Sequence, residues 1–449
     1  MEDRGHWGSK AGFVLAAAGS AIGLGNVWKF PYITGVNGGG AFVLIYLACI
    51  AIIGLPVLVA EILLGRAAQR SPVSAFKALG GSRTPWVLIG WMGVVAAYIL
   101  LSYYSIVAGW ALHYTFLSVT GNFVDVGPDG MEPLFGDLFV SSRLNLFWHV
   151  VFMAITIAVV LGGIRKGLER WARILMPALF GMMLIMLVNS FTLDGFSEAL
   201  SFVFGLHTED LTAAGVLEAL GHGFFTLSLG MGAILTYGSY LKPEDDIMAA
   251  SVAIASLDTV IALTAAMILF PIIFTFGLAP GSGPGLVFIT VPIALSQLPG
   301  GAMLSILFFG LLVFAALTSA ISILEVTTSY FIDERGWSRH RAVLVSGAAI
   351  VLLGVPSALS GSSAFFSGSF IGGRNWFDSF DYLVSNWLLP LGGLGIALFT
   401  AWRLDDAIRH REFLNGTKLA PFYKGWLLLL KFVVPVGILL VFLHAVGIV

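Results

Sequence analysis

Two stretches gather small, oxygen-bearing and helix-loosening residues in the middle of otherwise apolar sequence. The first reads Ala17-Ala18-Gly19-Ser20-Ala21-Ile22-Gly23-Leu24-Gly25-Asn26, the second Phe224-Phe225-Thr226-Leu227-Ser228-Leu229-Gly230-Met231-Gly232. Glycine is about 1 kcal/mol less favourable than alanine inside a helix, so both stretches can free backbone N–H and C=O groups. Freed carbonyls, with Ser, Thr and Asn oxygens beside them, suit hard cations. Freed N–H groups at the start of a half-helix suit a carboxylate. Asp258 and Glu61 lie in apolar runs of their own, and an ionisable side chain in such a place is costly and commonly functional. This is the chemistry of binding small charged or zwitterionic solutes. Nothing points to bond making: His113, His149, His222 and His444 fall in or beside apolar runs, without metal spacing or a nucleophile–base pair. His222 reads as a packed structural histidine. The chain is not expected to be an enzyme. Close helix packing is the plain alternative for the glycines.

The elements that must position these residues are membrane spans. Apolar residues make up 58% of the 449 and charged residues 11%, against about 25% charged in a soluble domain. The mean hydropathy is +0.94. Such a chain cannot cover its surface with polar groups, so about 20 apolar residues per helix is the relevant unit. Eleven long apolar segments run approximately over 11–34, 38–65, 85–117, 145–162, 169–193, 214–240, 247–275, 300–332, 341–358, 380–402 and 425–447. The expectation is an all-α integral membrane protein of 11 transmembrane helices. With the N-terminus in the cytoplasm, all of the 23 Lys and Arg residues except Lys29, Arg143, Arg374 and Lys431 fall on the cytoplasmic side, as the positive-inside rule asks. An odd number of spans then places the C-terminus outside. The 276–299 loop carries no charge but four prolines, and it is expected to pack back against the helices. A net charge of −2 gives no case for nucleic acid. The single cysteine, Cys49, excludes an internal disulfide framework and argues against a cysteine metal site.

The residues also carry a resemblance. The run Gly19 to Pro31 (GSAIGLGNVWKFP), followed by Asn37-Gly38-Gly39-Gly40-Ala41-Phe42, resembles the opening of the neurotransmitter:sodium symporters. The run Phe224 to Gly230 (FFTLSLG), the Tyr103-Tyr104 pair before Trp110, and Ala315 to Ser319 (AALTS) are similar to the same family. The resemblance covers the first ten helices and implies a LeuT-like 5+5 inverted repeat with discontinuous helices 1 and 6. That architecture is the family's own, so the five-span separation of the two broken segments is no independent proof of it. The implied division is a cytoplasmic gate segment at 1–10, repeats at 11–193 and 214–402, and a cytoplasmic loop with the eleventh helix at 403–449. The implied function is sodium-driven import of hydrophobic L-amino acids, aliphatic and aromatic, by alternating access across a bacterial plasma membrane. An amino-acid-binding sensor that does not transport is the rival reading. The partners implied are the amino acid, two sodium ions and membrane lipid, with no obligate protein partner.

The resemblance also assigns residues. The N–H groups of Leu24 and Gly25 and the Tyr104 hydroxyl would hold the substrate carboxylate. Carbonyls of Ala21, Phe225 and Thr226 and the Ser228 hydroxyl would hold its ammonium. Leu100, Tyr104, Phe225, Met231, Ser319 and Ile323 would surround its side chain. Monoamine-carrying members have Asp where Gly23 stands, so this substrate should bring its own carboxylate. One sodium site would use the Ala21 carbonyl, Asn26, Thr226, Asp258 and the substrate carboxylate. The other would use carbonyls of Gly19, Ile22 and Ala315 and hydroxyls of Thr318 and Ser319. Asp258 replaces the usual Asn, and Ala262 stands where chloride-dependent members have Ser, which together imply chloride-independent transport. A protonated Asp258 making a single hydrogen bond is the alternative. Glu61 would brace the unwound backbone. The outer gate would pair Lys29, usually Arg, with Asp381, over a lid of Tyr104 and Phe225. The inner gate would pair Arg4 with Asp333, with Trp7 against Ser239 and Tyr240. Between Gly167 and Pro177 the fifth helix is a candidate for unwinding, with a static kink as the alternative.

Overall fold

The computed structural model describes residues 5–122, 126–206, 211–278, 285–362, 366 and 368–448. Among these, nine continuous helices are long and apolar enough to cross a bilayer. They are the second span (Gly40–Ala68), third (Val87–Val119), fourth (Ser142–Leu161), fifth (Ile164–Ser190), seventh (Ile247–Thr275), eighth (Gly301–Arg335), ninth (Arg339–Leu359), tenth (Trp376–Arg403) and eleventh (Ala420–Ala445). The first span is two helices, Lys10–Ala21 and Gly25–Val36, bent by 53° at the break. The sixth is likewise divided, into Ala213–Thr226 and Ala233–Gly238. Counting each divided helix as one span gives the expected eleven.

The two breaks have local causes. The first helix ends at Ile22, whose backbone is extended (φ −72°, ψ 96°). It restarts after Gly23 and Leu24 as a π-helical turn, Gly25–Lys29. In the sixth span Ser228 adopts φ 56°, with Gly230 at 83° and Gly232 at 77°. A side chain at Gly230 would run into the Leu389 carbonyl of the tenth span, so only glycine permits this approach. Backbone outside a helix at membrane depth is tolerated where it is buried in protein or lines a cavity. Here Glu61, fully buried in the second span, supplies the missing acceptors. Its Oε1 accepts from Gly230 N (2.7 Å) and its Oε2 from Leu235 N (3.3 Å).

The eighth span is the most buried of the continuous ones, and the third lies along it in the most extensive pairing of the molecule. The fifth, seventh and eighth spans pack around the first half of the broken first span. Shorter helices not expected from the hydropathy pattern occupy the connections: Pro72–Gly80, Gly127–Val140, Phe196–Phe204 and Asp406–Leu414. The uncharged loop does fold back. Within it Leu286–Gln297 is helical, with Phe288 fully buried and stacked on Phe135 at 5.6 Å.

Candidate functional site

The twelve residues expected to hold an amino acid all line one cavity between the two broken helices and the third and eighth spans. Its walls leave a void of about 30 Å³. Ser20 joins them. At the polar end, Leu24 N–H donates to the Tyr104 hydroxyl at 3.4 Å. The Ser228 hydroxyl donates to the Ser20 carbonyl at 2.7 Å. The opposite wall, Leu100, Met231 and Ile323, is apolar and buried. A Cβ at Gly23 would lie 2.7 Å from Ser319 Oγ and 3.1 Å from the Tyr104 hydroxyl, so this position admits no side chain without displacing one of them.

Two clusters of oxygens flank the cavity. In one, the fully buried Asp258 carboxylate is the hub. Its Oδ1 accepts from Asn26 Nδ2 (2.7 Å) and Thr226 Oγ1 (3.0 Å), and its Oδ2 from the Tyr46 hydroxyl (3.4 Å). Asn26 Oδ1 accepts from Gly23 N at 3.0 Å, which ties the amide to the break itself. Hydrogen bonds to a charged group are worth about 1.5–3 kcal/mol each, so three donors offset much of the desolvation of a buried carboxylate. In the other cluster, Ser319 Oγ lies 3.4 Å from the Gly19 carbonyl, 3.1 Å from that of Ser20 and 3.5 Å from that of Ile22. Thr318 Oγ1 lies 3.0 Å from the Ala315 carbonyl. Neutral oxygens from the first and eighth spans thus converge with no carboxylate among them, a donor set suited to a monovalent alkali ion.

The two faces of the molecule differ. Away from the N-terminal segment lies a vestibule of about 500 Å³, lined in part by Lys29, Tyr103, Trp110, Phe377 and Asp381. Tyr104 and Phe225 line both vestibule and inner cavity, as a lid would. The expected Lys29–Asp381 pair is not formed. Lys29 Nζ instead sits over the Phe225 ring, 5.1 Å from its centroid, and Asp381 accepts from the Tyr103 (2.9 Å) and Ser385 (3.0 Å) hydroxyls. Both charges line the vestibule, and each takes another neighbour.

On the other face the way is shut. Trp7 is 3% exposed. Its backbone N–H donates to the Tyr240 carbonyl (3.2 Å) and its indole N–H to that of Tyr237 (3.0 Å). The wedge is therefore against Tyr237 and Tyr240, while the Ser239 hydroxyl is spent on Thr236 (2.7 Å). Arg4 lies outside the described residues. Asp333 accepts from Ser71 N–H at 2.5 Å. The fifth span is helical throughout Ile164–Ser190. Its loosened part is a π-helical stretch, Ile164–Glu169, that contains Gly167, and Pro177 lies within regular α-helix.

Sequence reasoning missed several partners. Tyr46 touches Asp258 from 212 residues away, and nothing in its apolar surroundings marks it. His222, expected to be packed, stacks on Phe30 (5.8 Å) and lies tilted against Tyr46 (5.6 Å). Glu325 accepts from the two terminal guanidinium nitrogens of Arg339 and from the Tyr240 hydroxyl, which joins the sixth, eighth and ninth spans. Among the described residues no cluster of His, Cys, Asp and Glu is arranged to hold a metal.

Comparison with known proteins places this arrangement. Residues 4–124 and 140–448 match the profile of the Sodium:neurotransmitter symporter family. An uncharacterised sodium-dependent transporter of Bacillus subtilis, YhdH, is 39% identical over 443 residues, covering 98% of each chain. An uncharacterised sodium-dependent transporter of Haemophilus influenzae is 34% identical, again over 98% of each. Among solved structures, MhsT in complex with L-phenylalanine superposes with a TM-score of 0.90 at 42% identity, covering 99% of this chain and all of that one.

Proposed function

The chain belongs to the sodium:neurotransmitter symporter family, and from that premise we propose that it imports hydrophobic L-amino acids with two sodium ions and without chloride. As a family member it is a multi-pass membrane protein and a sodium-coupled transporter with a LeuT-like fold. The substrate class is our inference. The observation that carries it is the make-up of the inner cavity: the Leu24 N–H and the Tyr104 hydroxyl together at its polar end, no side chain at Gly23, and an apolar far wall. A structure of a relative with L-phenylalanine points the same way. Met231 is unbranched and adaptable, which favours a range of bulky apolar side chains. An apolar pocket discriminates by only ~1–3 kcal/mol per methylene.

The coupling proposed is direct. A sodium ion held by the Ala21 carbonyl, Asn26, Thr226 and Asp258 would lie where it also meets the substrate carboxylate, so each improves the other's site. A second ion among the Gly19, Ile22 and Ala315 carbonyls and the Thr318 and Ser319 hydroxyls would hold the first span against the eighth. The Asp258 carboxylate supplies a fixed negative charge, and buried Ala262 offers no donor to an anion. Halves 11–193 and 214–402 would then rock about the midplane site, between the state described, open at the vestibule, and one open at Trp7. The basic residues put Trp7 on the cytoplasmic side.

The test is uptake of single radiolabelled amino acids into proteoliposomes with and without an inward sodium gradient, in chloride and in gluconate. Sodium-dependent accumulation of leucine, phenylalanine or tryptophan in both salts is expected. A chloride requirement would remove the role given to Asp258. Saturable binding without accumulation would favour a sensor.

A further inference from the structure

We propose that Glu169 is a latch. It holds the N-terminal lead-in against the fifth span and so keeps closed the water path to the sodium site at Thr318 and Ser319. The idea rests on that site as assigned above.

Glu169 ends the π-helical stretch at the start of the fifth span and is 4% exposed. Its two oxygens are shared between elements. Oε2 accepts from Gly8 N at 2.7 Å. Oε1 accepts from Ser9 Oγ (3.3 Å) and from Arg173 Nη2 (2.5 Å). The same Arg173 nitrogen reaches Ser9 Oγ at 2.6 Å, and Ser9 in turn caps the first helix by accepting from Gly12 N at 2.9 Å. The cap of the first span and the first turns of the fifth are thus one hydrogen-bonded unit. The fit is close, since a side chain at Gly12 would occupy the place of the carboxylate.

The position along the helix gives the latch its consequence. Residues 169, 172, 173 and 176 share a helix face. Ala172 and Met176 on it are buried. A Cβ placed at Gly19, whose carbonyl belongs to the sodium site, would lie 3.1 Å from Met176 Sδ and 3.1 Å from Thr318 Cβ. An apolar plug therefore separates Glu169 from the ion site, over seven residues or about 10 Å of helix rise. When the N-terminal half of the first span moves away, Glu169 loses the Gly8 and Ser9 donors. A buried carboxylate short of donors must take water in their place. That water enters two turns below the ion, and the loosened π-helical stretch can yield there without breaking a regular helix. Glu169 acts through the N-terminal segment, so it is a positioning residue and not an ion ligand.

The test places one reporter thiol on the path. In a Cys49→Ser, Ala172→Cys background, the reaction rate with a membrane-impermeant thiol reagent is measured in sodium and in potassium. Sodium is expected to slow labelling in this parent; no slowing would overturn the sodium-site assignment and the latch with it. Adding Glu169→Gln is expected to raise the rate in sodium about tenfold, the scale of one lost hydrogen bond to a charged group, and Glu169→Asp to recover part of the protection. Should Glu169→Gln fail to fold, Arg173→Gln at a half-exposed position is expected to move the rate in the same direction. A purely structural Glu169 would lower the unfolding temperature yet leave sodium protection as in the parent, and that result would overturn the latch alone.

Discussion

Under the proposed function Asp258 and Gly23 act on the site from opposite directions, one by bringing a carboxylate and the other by withholding a side chain. Asp258 is fully buried and takes donors from Asn26, Thr226 and Tyr46. If its carboxylate offsets the charge of a bound sodium, Asp258→Asn keeps the shape and removes that charge. The expected result is a loss of about tenfold or more in sodium affinity, the scale of a charge-assisted contact, read as the sodium dependence of substrate binding. Unchanged affinity would mean that Asp258 is protonated and only a hydrogen-bonding partner. Gly23→Ala tests the other residue. Its methyl would crowd Ser319 Oγ at 2.7 Å and the Tyr104 hydroxyl at 3.1 Å, and overpacking of this kind costs about 1–3 kcal/mol. Substrate binding is expected to fall by one to two decades while the fold is retained, measured by equilibrium binding of a labelled amino acid. Asp258 was legible because a carboxylate is rare at such depth, and Gly23 because the resemblance marks its position. Tyr46 was not, since a tyrosine in an apolar run looks like any packed aromatic until Asp258 is brought beside it.

At the scale of the element, the two broken helices were readable from their glycines, but how the breaks are held was not. Ser228 adopts a left-handed backbone that few non-glycine residues take up, and its strain is accepted because its hydroxyl reaches the Ser20 carbonyl. The two lie 208 residues apart, which no local pattern reveals. The short connecting helices escaped notice for a different reason: they lack the length that makes a span stand out. The fifth span shows the limit most clearly. Its Gly167 and Pro177 suggested an unwound stretch, yet the helix is continuous through Pro177 with only its first turns π-helical. Proline still removes one N–H and presses on the carbonyl four residues earlier, so the helix is weakened there in any state. Pro177→Ala would strengthen it. If opening of the cytoplasmic side requires this span to yield, turnover should fall several-fold, with sodium and substrate affinities unchanged. Net uptake set against equilibrium binding checks this, and wild-type turnover would reduce Pro177 to a static kink.

The whole molecule is asymmetric about its midplane: a vestibule of about 500 Å³ on one face and a sealed, polar-laced face on the other. The sealed face holds most of the buried ion pairs. Glu325 with Arg339 links the eighth and ninth spans. Arg66, 3% exposed at the end of the second span, pairs with Glu412 at 2.8 Å and also donates to the carbonyls of Glu412 and Asp245. The helix Asp406–Leu414 and the loop after the sixth span are thereby fastened to the second. Such a pair gives little net stability over an apolar equivalent, but removing one partner strands the other and costs about 3–5 kcal/mol. Glu412→Gln should therefore lower the unfolding midpoint in detergent markedly. The double change Arg66→Met with Glu412→Leu should be milder than either single change, because no buried charge is left unpaired and Arg411, which also reaches Glu412, is exposed to water. The same comparison separates scaffold from gate. If the Arg66 cluster only holds the loops in place, the double variant keeps the sodium dependence of uptake. A shifted sodium dependence in a stable double variant would show that this cluster opens and closes with the transport cycle.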